Sequence, residues 1–147
     1  MENIHVGDRN NVFGHAALQD VSGASDNIAI GYKSLNANKN QSYNISIGNQ
    51  SQELSGKKIN GFEPNTDKNI SIGHQSLHEH LEGSENIFIG YRSGFLDVSG
   101  NQNVAIGTQS LAENIDGSGN TAVGYQSGLN CKGEHNVMLG YEASAVG

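Results

Sequence analysis

The feature that most constrains the fold of this chain is an internal repeat. Eight copies of a pattern close to Asn-(Ile/Val)-(Ala/Ser)-(Ile/Val)-Gly occur in 147 residues, and four of them match it at every position. Successive glycines of the pattern are 17, 17, 25, 17, 17, 17 and 16 residues apart, so one insertion of 8 residues separates the third copy from the fourth. A fixed period of this length predicts a single solenoid domain over residues 1–147, in which each copy forms one coil.

Three columns of the repeat hold the same kind of residue in every copy. The glycines are Gly14, Gly31, Gly48, Gly73, Gly90, Gly107, Gly124 and Gly140. The residue four positions before each glycine is an asparagine: Asn10, Asn27, Asn44, Asn69, Asn86, Asn103, Asn120 and Asn136. The residue just before each glycine is apolar, and the third residue after it is alanine or serine. We interpret the asparagine and glycine columns as scaffold, a ladder at a turn and a tight bend.

The residues before each glycine read as a short β-strand. Ile28 and Ile30 share one face because side chains alternate along a strand, and the small Ala29 between them points to a tight opposite face. A helix is excluded, since a glycine in every copy would cost roughly 1 kcal/mol each relative to alanine. We therefore predict an all-β, parallel β-solenoid of about eight coils of about 17 residues, each with two short strands and two turns.

The composition excludes several classes of function. Eight basic residues against 15 acidic ones give a net charge of −7, which argues against binding to nucleic acid or to anionic membranes. Cys131 is the only cysteine, so an intrachain disulfide and a cysteine-based zinc site are both excluded. No segment approaches the roughly 18 apolar residues that insertion into a membrane requires. We expect a soluble chain without a cofactor.

Two segments of the repeat resemble a known class of surface fibres. Asn103-Val-Ala-Ile-Gly-Thr-Gln-Ser-Leu111 and Asn120-Thr-Ala-Val-Gly-Tyr-Gln-Ser-Gly128 are similar to repeats of trimeric autotransporter adhesin heads. They resemble related repeats of bacteriophage tail fibres and other viral fibres more closely. The resemblance implies a left-handed β-roll and three identical chains around one axis. It also implies an extracellular location, on a cell surface or virion, and attachment to a glycan or protein of a host cell.

A physical argument also favours a homotrimer. The isoleucine and valine pairs are too numerous for the thin interior of a two-stranded coil. On the outside of a monomer they would form a continuous apolar stripe, which soluble monomers avoid. Burial against further copies of the chain removes that stripe, and a trimer with three times −7 charges would remain soluble.

Aromatic residues follow the repeat glycines and are one candidate ligand site. This column contains His15, Tyr32, His74, Tyr91, Tyr125 and Tyr141. Stacking on sugar rings would make Tyr91 and Tyr125 glycan-binding residues. The alternative is packing at a subunit interface, because the column continues the face of the isoleucine pairs.

The insertion, at about residues 52–68, is the second candidate site. Loops that interrupt a strict repeat are common places for function. Lys57 and Lys58 are adjacent bases, and Phe62 offers an apolar anchor beside them. We predict a partner contact at these three residues, with a neutral surface excursion as the alternative.

Metal and catalytic sites are less well supported by the sequence. His74, His78 and His80 are metal-ligand types, but no cysteine or aspartate framework accompanies them, and we expect them to be solvent-exposed. Acidic residues such as Asp97 and Glu113 read as a solvated face and not as the carboxylate pair of a glycosidase. We therefore predict a non-enzymatic attachment module without a metal. A ligand-free spacer and a solenoid glycan-active enzyme are the alternatives.

Overall fold

The computed structural model describes residues 8–20, 22–37, 39–55, 57 and 65–144. This part of the chain contains eight three-residue strands and no helix. It therefore has no helix long and apolar enough to cross a membrane. The strands are β1 (Asn11–Phe13), β2 (Ile28–Ile30), β3 (Ile45–Ile47), β4 (Ile70–Ile72), β5 (Ile87–Ile89), β6 (Val104–Ile106), β7 (Thr121–Val123) and β8 (Val137–Leu139). They form one parallel sheet in chain order. The prediction of an all-β parallel solenoid is confirmed.

The repeat columns define the register of the sheet. Each strand residue lies beside its equivalent in the next coil, and this holds across the insertion, where Ile45 pairs with Ile70. Regular pairing also continues past β3, because Leu54 N donates to His78 O, and it includes Asn65, whose carbonyl accepts Gly83 N. The insertion therefore leaves the sheet register unchanged.

The second half of each coil is not a strand, so the prediction of two strands per coil is wrong. The second and fourth residues after the glycine have left-handed backbone, as in Lys33 and Leu35, both with φ of 52°. A residue in this conformation cannot continue an extended strand. The return segment still bonds to the next coil, since Leu35 N donates to Ser51 O (3.0 Å) and Ala37 N donates to Glu53 O (3.2 Å).

The interior of the solenoid is formed by three columns. The middle residue of β2 to β8 is buried, which confirms that the tight face of the strand points inward. In six coils the residue three after the glycine is a serine that joins the return segment to the strand of the next coil, as Ser34 Oγ donates to Ser46 O (2.8 Å). Leucines four residues after the glycine, such as Leu77 and Leu111, fill the remaining space.

Asparagine side chains connect the coils at the corner before each strand. The Oδ1 of each asparagine from Asn10 to Asn120 accepts a hydrogen bond from the backbone N–H of its equivalent in the next coil; for example, Asn103 N donates to Asn86 Oδ1 (2.8 Å). The Nδ2 group of Asn86 donates to Gly100 O (2.8 Å) at the turn of the next coil. At Asn44, which precedes the insertion, Nδ2 has no partner among the described residues. Seven such backbone-to-side-chain bonds run from Asn10 to Asn136.

The glycine column marks the closest approach between coils. Gly90 has φ of 140°, a conformation that side-chain-bearing residues rarely adopt. A Cβ atom there would overlap the carbonyl oxygen of Gly107. Glycine is therefore required by both the backbone conformation and the spacing of the coils.

Candidate functional site

The outer face of the sheet is a long apolar surface. The first and third residues of β2 to β8 are at least partly exposed and apolar, with Thr121 as the one polar exception. We call these two columns the strand face. Ile30 and Ile106 are each 39% exposed, and Leu139 is 65% exposed. With about 4.8 Å between neighbouring strands, the face is roughly 29 Å long from β2 to β8.

The aromatic column lies just after the repeat glycines. Tyr91 and Tyr125 are 44% and 43% exposed, so both candidate glycan-binding residues reach the surface. They lie two coils apart with Thr108 between them, and the structure does not bring them into one cluster. Tyr125 stacks on Tyr141 at 5.2 Å, and His15 stacks on Tyr32 at 5.8 Å. These rings cover one another's faces, which leaves fewer ring faces for a sugar.

Arg92 joins two of the aromatic rings. Its guanidinium lies 5.4 Å from the ring centre of Tyr91 and 4.9 Å from that of Phe95. Its Nε donates to Gln75 Oε1 (2.9 Å). We call Arg92, Tyr91, Phe95 and Gln75 the Arg92 cluster. The aromatic column identifies Tyr91 from the sequence but not Arg92, although an arginine in a column otherwise rich in glutamine was a usable signal.

A second polar cluster surrounds Glu53. Its carboxylate accepts hydrogen bonds from Lys33 Nζ (2.9 Å) and Gln50 Nε2 (2.8 Å), and His78 Nε2 lies 3.2 Å away. Burial raises the pKa of Glu53, but the hydrogen bonds from Lys33, Gln50 and His78 outweigh it, so the pKa is lowered from 4.5. The carboxylate is thus held in its charged form by its neighbours, which gives it a structural role.

The expectation that His74, His78 and His80 are solvent-exposed is wrong for His78 and His80. His80 is fully buried, and its two ring nitrogens lie 3.0 Å from Asp97 O and 2.9 Å from Gly83 O. The side chain of His78 is only 14% exposed, whereas His74 is exposed. Among the described residues, no group of three or more histidine, cysteine or acidic side chains is arranged to hold a metal ion.

Asp97 is also buried, so its assignment to a solvated face is wrong. Its carboxylate accepts hydrogen bonds from Gly100 N (2.9 Å), Asn103 Nδ2 (3.2 Å) and Asn114 Nδ2 (3.0 Å). One oxygen lies 3.6 Å from Nδ1 of His80. The physical reason for its burial is its position seven residues after the glycine, at an inward-facing corner of the coil. The donors that surround Asp97 mark it as part of the scaffold.

The insertion residues are only partly described. Lys57 is exposed, and Lys58 and Phe62 lie outside the described residues. A recess of about 480 Å³ opens at the last described coil, lined by Gln126, Leu129, Cys131 and Glu142 among others. Its lining contains one carboxylate, whereas glycoside hydrolysis ordinarily uses two.

Comparison of the chain with protein-family models, with curated proteins and with solved structures gives no match. The function is therefore inferred from the surfaces described above. Two of them are distinctive, namely the strand face and the Arg92 cluster.

Proposed function

We propose that this chain is a non-enzymatic, homotrimeric segment of an extracellular fibre or adhesin that attaches to a host cell. In this proposal each chain is a left-handed β-roll, and three chains pack through their strand faces. The trimer is carried on a cell surface or a virion. Its partner is a glycan or protein of the host-cell surface.

The observation that carries the proposal is the exposed strand face. Monomeric soluble proteins rarely expose a continuous apolar patch of more than a few hundred Å². Here two columns of mostly apolar side chains run along the sheet, with no charged residue in β1 to β8. Covering this face against another protein surface would remove it from water.

A second copy of the chain is the partner that best fits the strand face. The face repeats once per coil, at about 4.8 Å, and a partner needs the same period to interdigitate along its length. Another copy of the chain has the same period because it has the same sequence and coil spacing. Around a three-fold axis the strand faces of three copies converge, and each subunit contacts one neighbour through one edge of its face and the other neighbour through the opposite edge.

Paired variants test the role of the strand face. The double variant Ile89→Glu and Ile106→Glu places two charges on the face, and we expect it to elute from a size-exclusion column as a smaller species than the unmodified chain. Ile115→Glu is the control, because Ile115 is 57% exposed but lies outside the strands. Equal elution of the double variant and the unmodified chain would reject the strand face as the contact.

A ligand-free spacer is the second candidate. The regular ladders of asparagine and glycine support it, because they supply stiffness without any binding group. The attachment of the chain to intact host cells separates the two candidates, since a spacer shows none.

A further inference from the structure

We infer that the Arg92 cluster is a binding site for a sugar that carries a carboxylate, such as an acidic sugar of a cell-surface glycan. This inference deepens the proposed function, on which it rests, by assigning a ligand class to one place on the surface. It starts from the charge of Arg92 and from the groups that hold its side chain.

Arg92 is a cation that has no counter-charge in the described part of the chain. Among the described residues no carboxylate lies within 4.0 Å of its guanidinium, whereas Lys33, in the same column three coils earlier, pairs with Glu53 at 2.9 Å. The chain has 15 acidic residues and only 8 basic ones, so acidic partners are abundant. An unpaired arginine in such a chain is available for an external anion.

The guanidinium of Arg92 is held in place before any ligand binds. It lies over two rings, and its Nε is bonded to Gln75 Oε1. Phe95 is itself stacked on His78 at 5.2 Å, which fixes its ring. The terminal Nη groups have no hydrogen-bond partner among the described residues. A fixed, planar pair of N–H donors matches the two oxygens of a carboxylate.

The surroundings of Arg92 favour a sugar over a simple anion. Tyr91 is 44% exposed although His74 lies 5.7 Å from its ring centre and Arg92 lies 5.4 Å from it, so part of an apolar ring with its hydroxyl stays accessible beside the guanidinium. Sugars offer apolar C–H faces together with hydroxyl groups, and amphipathic aromatic side chains suit such surfaces. A carboxylate on the same sugar would then contact Arg92 while the ring contacts Tyr91.

Arg92 is not required by the repeat. The residue two positions after the glycine is glutamine in four other coils, at Gln50, Gln75, Gln109 and Gln126. Arg92→Gln therefore installs a residue that the scaffold already accepts. Lys33→Gln is the matched control, since it removes a cation from the same column where Glu53 already neutralises it.

The test is a titration of the full chain with 3′-sialyllactose that is monitored by saturation-transfer NMR. Lactose and sodium acetate are the comparison probes. We expect binding of sialyllactose, and a loss of at least about tenfold in affinity in Arg92→Gln, the equivalent of one charge-assisted hydrogen bond. Lys33→Gln should bind as the unmodified chain does. Equal binding of lactose would show that the carboxylate is not recognised, and equal binding of acetate would show that the sugar is not; either result overturns the inference.

Two further outcomes also overturn the inference. One is the absence of binding by the unmodified chain. The other is a change of oligomeric mass in Arg92→Gln, which would place Arg92 in a contact between copies of the chain. Failure of the titration with an unchanged trimer mass would reject the glycan site and leave the proposed trimer standing, so the two failures can be distinguished.

Discussion

At the scale of residues, the interior volume of a coil is shared between the strand-middle column and the fourth residue after the glycine. Coil six combines Ala105 with Leu111, and coil five combines Phe88 with Gly94. A Cβ atom at Gly94 would overlap the ring of Phe88. A large residue in one column therefore requires a small residue in the other, because the coil spacing is fixed by hydrogen bonds.

Because the two columns share the interior volume, a substitution in one column should partly restore the stability lost through a substitution in the other. Phe88→Ala should lower the free energy of unfolding by about 3–5 kcal/mol through the cavity it leaves. Gly94→Leu should also destabilise the chain, since its side chain meets Phe88. The combined variant recreates the pair of coil six and should be more stable than either single variant. Thermal unfolding at one protein concentration measures this, and a double variant no more stable than the better of the two single variants would contradict it.

Replacement of Gln52 by leucine is expected to stabilise the fold. It is fully buried in the column of Leu35, Leu77 and Leu111, and neither of its amide atoms has a partner among the described residues. Its φ of 48° is close to the 49–52° of those leucines. An unsatisfied buried polar group costs about 1–3 kcal/mol, so Gln52→Leu should raise the unfolding midpoint. A lowered midpoint would show that this amide has a partner or role in the protein.

At the scale of elements, the sequence predicts the strand half of a coil well and the return half poorly. Side-chain alternation identifies Ile28, Ala29 and Ile30 as a strand with one inward face. Left-handed backbone at Lys33 and Leu35 has no comparable signature, because lysine and leucine do not favour it. The corner seven residues after the glycine is equally hidden, since it holds serine, histidine, aspartate, asparagine or cysteine in successive coils.

Acid should weaken the contact between return segments that Glu53 makes. Its folded pKa is lowered from 4.5, so the carboxylate stabilises the fold above that pH, and this contribution is lost as the pH falls through the lowered value. Glu53→Gln removes the contribution. We expect the unfolding midpoint of this variant to fall less steeply below about pH 4.5 than that of the unmodified chain. Glu113→Gln, at an exposed glutamate, is the control, and identical pH profiles for both variants would contradict the assignment.

At the scale of the whole molecule, the period of the sequence was enough to predict the parallel solenoid. The candidate site was less accessible from sequence. Tyr91 could be selected from its column, but Arg92 and Phe95 meet within one return segment. The left-handed backbone of that segment, with φ of 52° at Arg92, brings them together, and the repeat pattern gives no sign of it.

Deletion of residues 57–64 should leave this solenoid intact. The register between β3 and β4 is regular on both sides of the insertion, so the deleted residues are not required for pairing. Long surface loops contribute little to the stability of a solenoid. If Lys57, Lys58 and Phe62 contact a host cell, the deletion should weaken attachment while the unfolding midpoint stays unchanged. Unchanged attachment would remove the insertion from the binding surface.

The association of the strand faces is tested most directly by the mass of the chain in solution. One chain has a mass of 15.6 kDa, and a homotrimer has three times that mass, about 47 kDa. Sedimentation equilibrium at several protein concentrations measures this mass without reference to molecular shape. Packing of three strand faces predicts a species of about 47 kDa. A single species of 15.6 kDa at every concentration would mean that the strand face stays open to water, and would contradict the proposed trimer.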